Sequence, residues 1–105
     1  MIGEALKGHL DLLLLAVLAD GPAHGYAVIE SLRSRSGGTF DLPEGTIYPA
    51  LHRLESQGLL CSRWSEDSAR RKRIYQLTLK GQQALAQHQE DWKRFSKAVN
   101  ATVGT

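Results

Sequence analysis

With 105 residues, 42% of them hydrophobic and 23% charged, the chain can bury one core and has too little material for two; the same fractions exclude a disordered or fibrous polypeptide. The longest apolar run, residues 12–19, falls short of the ~18 to 20 residues a bilayer crossing needs. The first residues lack the pattern of a secretory leader, and the lone Cys61 has no internal disulfide partner, so a cytoplasmic location is expected. The net charge is only +2, but residues 50–80 hold seven basic side chains against three acidic ones, a local excess of +4 that suits a polyanionic partner.

The first predicted helix runs from about Glu4 to Ala19 and is apolar on every side from Leu12 to Leu18, so it needs cover from several directions, a partner subunit among them. Asp20-Gly21-Pro22 ends it. A second helix begins near His24, which reads as a cap and packing residue, and continues through Tyr26, Ile29, Leu32 and Arg33 to Ser36, where Gly37-Gly38 stops it. Residues 39–43 form an extended link. The third helix spans about Thr46 to Gln57 with Gly45 as its expected cap. Ile47, Ala50, Leu51 and Leu54 occupy one face, and Tyr48, Pro49, His52, Arg53 and Ser56 the other. Gly58 supplies its exit.

Residues 59–65 and 72–77 have strand composition and flank a polar loop, which predicts a hairpin; Arg73, Tyr75 and Leu77 share one face of the return strand. Thr78 caps a last helix expected to reach about Asn100, roughly 33 Å long. On it Leu85, Trp92 and Val99 recur at seven, as do His88, Phe95 and Thr102, a heptad-like seam. The expected fold is therefore mainly α with a small β-hairpin: a winged helix-turn-helix followed by a long C-terminal dimerisation helix.

Particular residues sharpen this reading: Lys7-Gly8-His9-Leu10-Asp11-Leu12, Gly21-Pro22-Ala23-His24-Gly25-Tyr26, and the run from Pro43-Glu44-Gly45-Thr46-Ile47-Tyr48-Pro49 to Gln57-Gly58-Leu59. Tyr75-Gln76-Leu77-Thr78-Leu79-Lys80-Gly81 and Asp91-Trp92-Lys93-Arg94-Phe95 complete the string. From end to end the chain resembles the PadR family of bacterial transcriptional regulators, in its compact subgroup. It departs from the family pattern in the wing, where Glu66, Asp67 and Ser68 stand in place of Gly and Pro.

The resemblance implies a homodimer joined through the last helix, with the third helix in the major groove of double-stranded DNA and the hairpin tip on the backbone or minor groove. Residues 1–78 would form the DNA-binding part and residues 79–105 the dimerisation helix and tail, packed as one structural unit. Thr46, Tyr48, Pro49, His52 and Arg53 are the expected contacts from the third helix, and Arg70, Arg71 and Lys72 those from the wing. Alternatively, Tyr48 packs intramolecularly and Arg53 pairs with Glu55 or another neighbour. Leu6, Leu10, Leu13, Leu85, His88, Trp92, Phe95 and Val99 are the expected dimer residues. In a multidrug-sensing branch of the family, planar aromatic ligands stack on a tryptophan at the position of Trp92, so this side chain is either a seat for a small aromatic effector or ordinary dimer core.

A repressor reading an inverted repeat with half-sites ~34 Å apart follows from these features. A winged-helix adaptor that binds protein without sequence-specific DNA binding is the competing reading. Enzyme chemistry is not expected, because the chain has no G-x-S-x-G elbow, P-loop or C-x-x-C. His9, His24, His52 and His88 are scattered without ligands at metal spacing, so neither metal nor cofactor is expected. Cys61, beside Leu59 and Leu60, is expected to be a buried thiol.

Overall fold

A helix built of leucine, alanine and valine has no side to offer water, and the fold answers by surrounding it. In the computed structural model, which describes residues 6, 8–66 and 71–104, helix α1 (Leu10–Leu18) buries Leu14, Leu15, Val17 and Leu18. It packs against α2 (Gly25–Arg35), α3 (Glu44–Ser56), strand β3 (Arg73–Leu77) and α4 (Leu79–Val103). Much of the cover that the sequence assigns to a partner subunit thus comes from the chain itself, and Leu10, Leu12, Leu13 and Ala16 remain half-buried at the margin. Within the span predicted as one helix from Glu4, Gly8 and His9 form a turn, and the continuous helix starts at Leu10. Glycine's weak helix propensity accounts for the break.

His24 caps α2 as expected: its Nδ1 accepts from the Ala27 amide at 3.2 Å. The buried residues of α2 are Gly25, Val28, Ile29 and Leu32, so the expected step of three from Ile29 to Leu32 holds while Tyr26 faces solvent and Val28 takes its place on the buried side. Helix α3 starts earlier than predicted. Pro43, not Gly45, is its cap, with the Ile47 amide donating to the Pro43 carbonyl at 3.1 Å. Pro49 therefore lies a turn and a half inside and leaves the Gly45 carbonyl without its helical donor. The exit matches expectation. Gly58 adopts φ 79°, a left-handed conformation that favours glycine, while the Gly58 amide donates to Glu55 and the Leu59 amide to Leu54.

Strand β2 (Leu60–Trp64) pairs antiparallel with β3, aligning Leu60 with Leu77, Ser62 with Tyr75 and Trp64 with Arg73. A two-residue strand β1 (Ala23–His24), absent from the sequence reading, pairs with the other edge of β3 to give the order β1-β3-β2. The alternation sends Leu60 and Tyr75 into the core and turns Cys61 outward. The expected burial of the thiol is thus corrected: next to two leucines in sequence, Cys61 sits on the opposite face of the strand from Leu60.

Helix α4 begins at a tight junction. The Thr78 side chain accepts from the Gly81 amide at 3.0 Å and donates to the Gly58 carbonyl at 2.6 Å. A Cβ at Gly81 would stand 2.0 Å from the Leu59 carbonyl oxygen. Of the helix's 25 residues only Gly81 and Leu85 are buried, and it ends past the predicted Asn100, at Val103, where Gly104 supplies a left-handed cap.

Candidate nucleic-acid interface

His24, the start of α2, Tyr48 of α3 and the return side of the wing meet in a cleft of about 230 Å³ lined by the side chains of His24, Tyr26, Tyr48, Arg71, Lys72 and Arg73. Three of these six side chains are basic, which gives a small concavity an anion-attracting character. Tyr48 is half-buried over the first residue of α2, where a Cβ at Gly25 would fall 2.4 Å from its ring. Its ring therefore packs within the chain while still lining the cleft. Pro49 and His52 project from α3 and are exposed, with the His52 ring 6.5 Å from that of Tyr75; Thr46 is half-buried one turn earlier.

Arg53 does not join this cleft. Its guanidinium makes a two-point contact with Asp11 of α1, Nη2 to Oδ1 at 2.6 Å and Nη1 to Oδ2 at 3.1 Å. The bond to the carboxylate raises the guanidinium's already high pKa. Of the two alternatives left open for this residue, the structure shows pairing, with a neighbour 42 positions away rather than with Glu55. An anion approaching Arg53 must compete with Asp11.

In the wing, Arg71 and Lys72 are exposed; Arg70 lies outside the described residues. The sequence reading missed Trp64. Its half-exposed ring carries the guanidinium of Arg71 at 4.8 Å and that of Arg73 at 4.9 Å. Arg73 Nε donates to the Ser62 hydroxyl at 2.8 Å, and that hydroxyl donates to Glu55 of α3 at 2.5 Å. The period-two alternation of β2, together with the pairing of Trp64 opposite Arg73, is the signal that would have found the group.

The His24 imidazole is held below its ordinary pKa, first by burial and second by the Lys72 ammonium. A neutral ring is what its capping role demands, since only an unprotonated Nδ1 accepts a hydrogen bond.

A second surface lies on α1 and α4. His9 meets Trp92 edge-on at 5.1 Å and Phe95 at 5.9 Å. An apolar cavity of about 340 Å³ opens between Leu6, Leu12, Leu13, Phe40 and Trp92. A wider groove of about 580 Å³ continues past His88 and Asp91 to Phe95. His88 is half-buried here, Leu10 is half-buried against the core, and Leu85 is buried within that core. Trp92, Phe95, Val99 and Val103 are 43, 54, 39 and 64% exposed and repeat at helical spacing, which leaves α4 with a bare apolar stripe. Among the described residues, no three His, Cys, Asp or Glu side chains are grouped to hold a metal ion, and no helix is long and apolar enough to cross a membrane.

Three helices, a basic two-stranded wing edged by β1 and a trailing helix define a winged-helix protein. Residues 14–87 match the model of the transcriptional regulator PadR-like family. A transcriptional regulator from Mycobacterium tuberculosis, Rv3488, is 35% identical over 96 residues, which cover 91% of this chain and 87% of that protein. Among solved structures, a PadR family transcriptional regulator from Eggerthella lenta superposes with a TM-score of 0.87 at 32% identity, covering 100% of this chain and 90% of the other. A PadR-like regulator from Bacillus cereus gives a TM-score of 0.84 at 28% identity, covering 97% and 98%. The chain belongs to the PadR family of transcriptional regulators; it is a regulator rather than an enzyme.

Proposed function

We propose that the chain is a cytoplasmic repressor that binds an inverted-repeat operator as a homodimer, with α3 in the major groove and the wing on the backbone or minor groove. The observation that carries this reading is the cleft in which Tyr48 of α3 and Arg71 and Lys72 of the wing converge. Exposed Pro49 and His52 suit base edges and thymine methyl groups, while Thr46 and the start of α3 suit a phosphate. Arg71 and Lys72, with Arg70, suit further phosphates, and Arg53 joins once an anion displaces Asp11. Residues 1–78 serve DNA binding and residues 79–105 dimerisation, with the apolar stripe of α4 meeting its counterpart. A small planar aromatic effector fits the apolar space between His9 and Trp92 at that seam.

The test uses duplexes from the region flanking the chain's own gene. Binding should weaken steeply as salt rises. His52→Ala should relax sequence preference, and Lys72→Ala should weaken all duplexes alike while lowering the salt slope by about one. Salt-insensitive binding, or no binding together with capture of a specific protein, would replace this reading with that of an adaptor.

A further inference from the structure

Two of the wing's cationic residues, Arg71 and Arg73, do not hang free in solvent; they are mounted on an aromatic side chain. We propose that Trp64 is a positioning residue for nucleic-acid contact: its ring and the Glu55–Ser62–Arg73 chain form a clamp that fixes the wing's arginines relative to α3. The proposal rests on the DNA reading above and deepens it.

Three observations support the clamp. First, both guanidiniums lie within 5 Å of one ring, Arg71 at 4.8 Å and Arg73 at 4.9 Å. Two like charges drawn to a common point need a compensating attraction, and the electron-rich face of an indole supplies it. Second, Arg73 donates to Ser62 and Ser62 to the Glu55 carboxylate, so the wing is bonded to the last turn of α3 rather than merely packed near it. Successive hydrogen bonds ending on a carboxylate polarise and strengthen one another. Third, Trp64 is 48% exposed, far more than its neighbour Leu60 at 2%, so core filling does not account for a large aromatic residue at this position.

The consequence is preorganisation. A free arginine loses rotamer freedom when it settles on a phosphate, whereas one already held against a ring loses less. Arg73, tied by its Nε, serves as the fixed member; Arg71, held among the described residues by the ring alone, is the side chain presented to the backbone. Lysine would not replace it, since an ammonium lacks the planar face that stacks.

The experiment is a double-mutant cycle on affinity for a labelled duplex from the region upstream of the chain's own gene, with each variant first checked for unchanged melting behaviour. Trp64→Ala should weaken binding roughly three- to tenfold although no charge is removed, with the salt slope unchanged because the same phosphates are still met. Trp64→Phe should recover part of the loss. In an Arg71→Ala background, itself lower in salt slope by about one, Trp64→Ala should cost no more than about twofold, since the ring then has little left to position. An equal loss from Trp64→Ala in both backgrounds, or no rescue by phenylalanine, overturns the clamp and makes Trp64 a direct contact or a bystander. A wild-type chain that holds no duplex overturns the DNA reading and the clamp's purpose together, an outcome separate from additive losses in a chain that binds.

Discussion

His24 links acidity to folding. Its Nδ1 closes the start of α2, and burial with nearby Lys72 holds the ring below its ordinary pKa. A histidine whose folded pKa lies below the unfolded value of about 6.5 contributes stability that is complete above that pH and is lost as pH falls through the folded pKa. Asparagine caps without titrating. The melting temperature of His24→Asn should therefore fall less than that of the native chain between about pH 7 and pH 5; parallel curves would rule out the cap as the source. Arg53 makes a second prediction. Because its guanidinium is half-exposed, Asp11→Asn should cost less than about 1 kcal/mol of stability, yet raise affinity for duplex DNA, since Arg53 then meets a phosphate without first leaving a carboxylate. Unchanged affinity would mean that Arg53 does not reach the backbone. The outward position of Arg53 was legible from the helical period, but its partner in α1 was not: long-range ion pairs leave no mark in local spacing. Trp64 went unnoticed for the same reason, since its meaning depends on what stands opposite it.

Elements defined by period or by a strong terminator were read well. The leucines of α1, the polar outer side of α3, the Gly58 exit and the Thr78 cap all follow from nearest-neighbour chemistry. What failed was start points and short pairings. Pro43 displaced Gly45 as the cap because the helix takes in Glu44 and Gly45 as its first two residues, and a two-residue β1 is too brief to show alternation. The junction between α3 and α4 has a cost that sequence alone does not display. Gly81 has no room for a side chain beside the Leu59 carbonyl, and that obstacle is backbone, which cannot swing aside. Gly81→Ala should lower stability by about 1–3 kcal/mol or more in denaturant unfolding, even though alanine is the better helix former. A neutral or stabilising result would mean that the junction relaxes freely.

At the level of the whole molecule, α4 gives the chain its long dimension of 54 Å and exposes its bare apolar stripe. Four large side chains in one row are more than a monomer ordinarily leaves wet. Val99→Asp should shift the sedimenting species toward monomer. It should also reduce affinity for a two-half-site duplex by at least about a hundredfold while sparing single half-site binding, because linked heads gain from effective concentration. A dimer that survives the aspartate would place the seam elsewhere. The heptad pattern made this row visible in the sequence, whereas the intramolecular burial of Leu85 did not show there: a repeat tells which residues share a side, not where the monomer's own core stops.

Helix α1 touches each of the other three helices; His9, at its N-cap, joins the aromatic cluster and, two residues on, Asp11 is bound to α3. In the proposed dimer such a spine would tie each DNA-binding part firmly to the arm that spaces it from its twin. A guest lodging beside Trp92 would then act like a thumb on a pair of callipers, altering the span between two rigid tips and leaving each tip its shape. Operators with one or two base pairs added between their halves should accordingly respond to such a guest in the opposite sense.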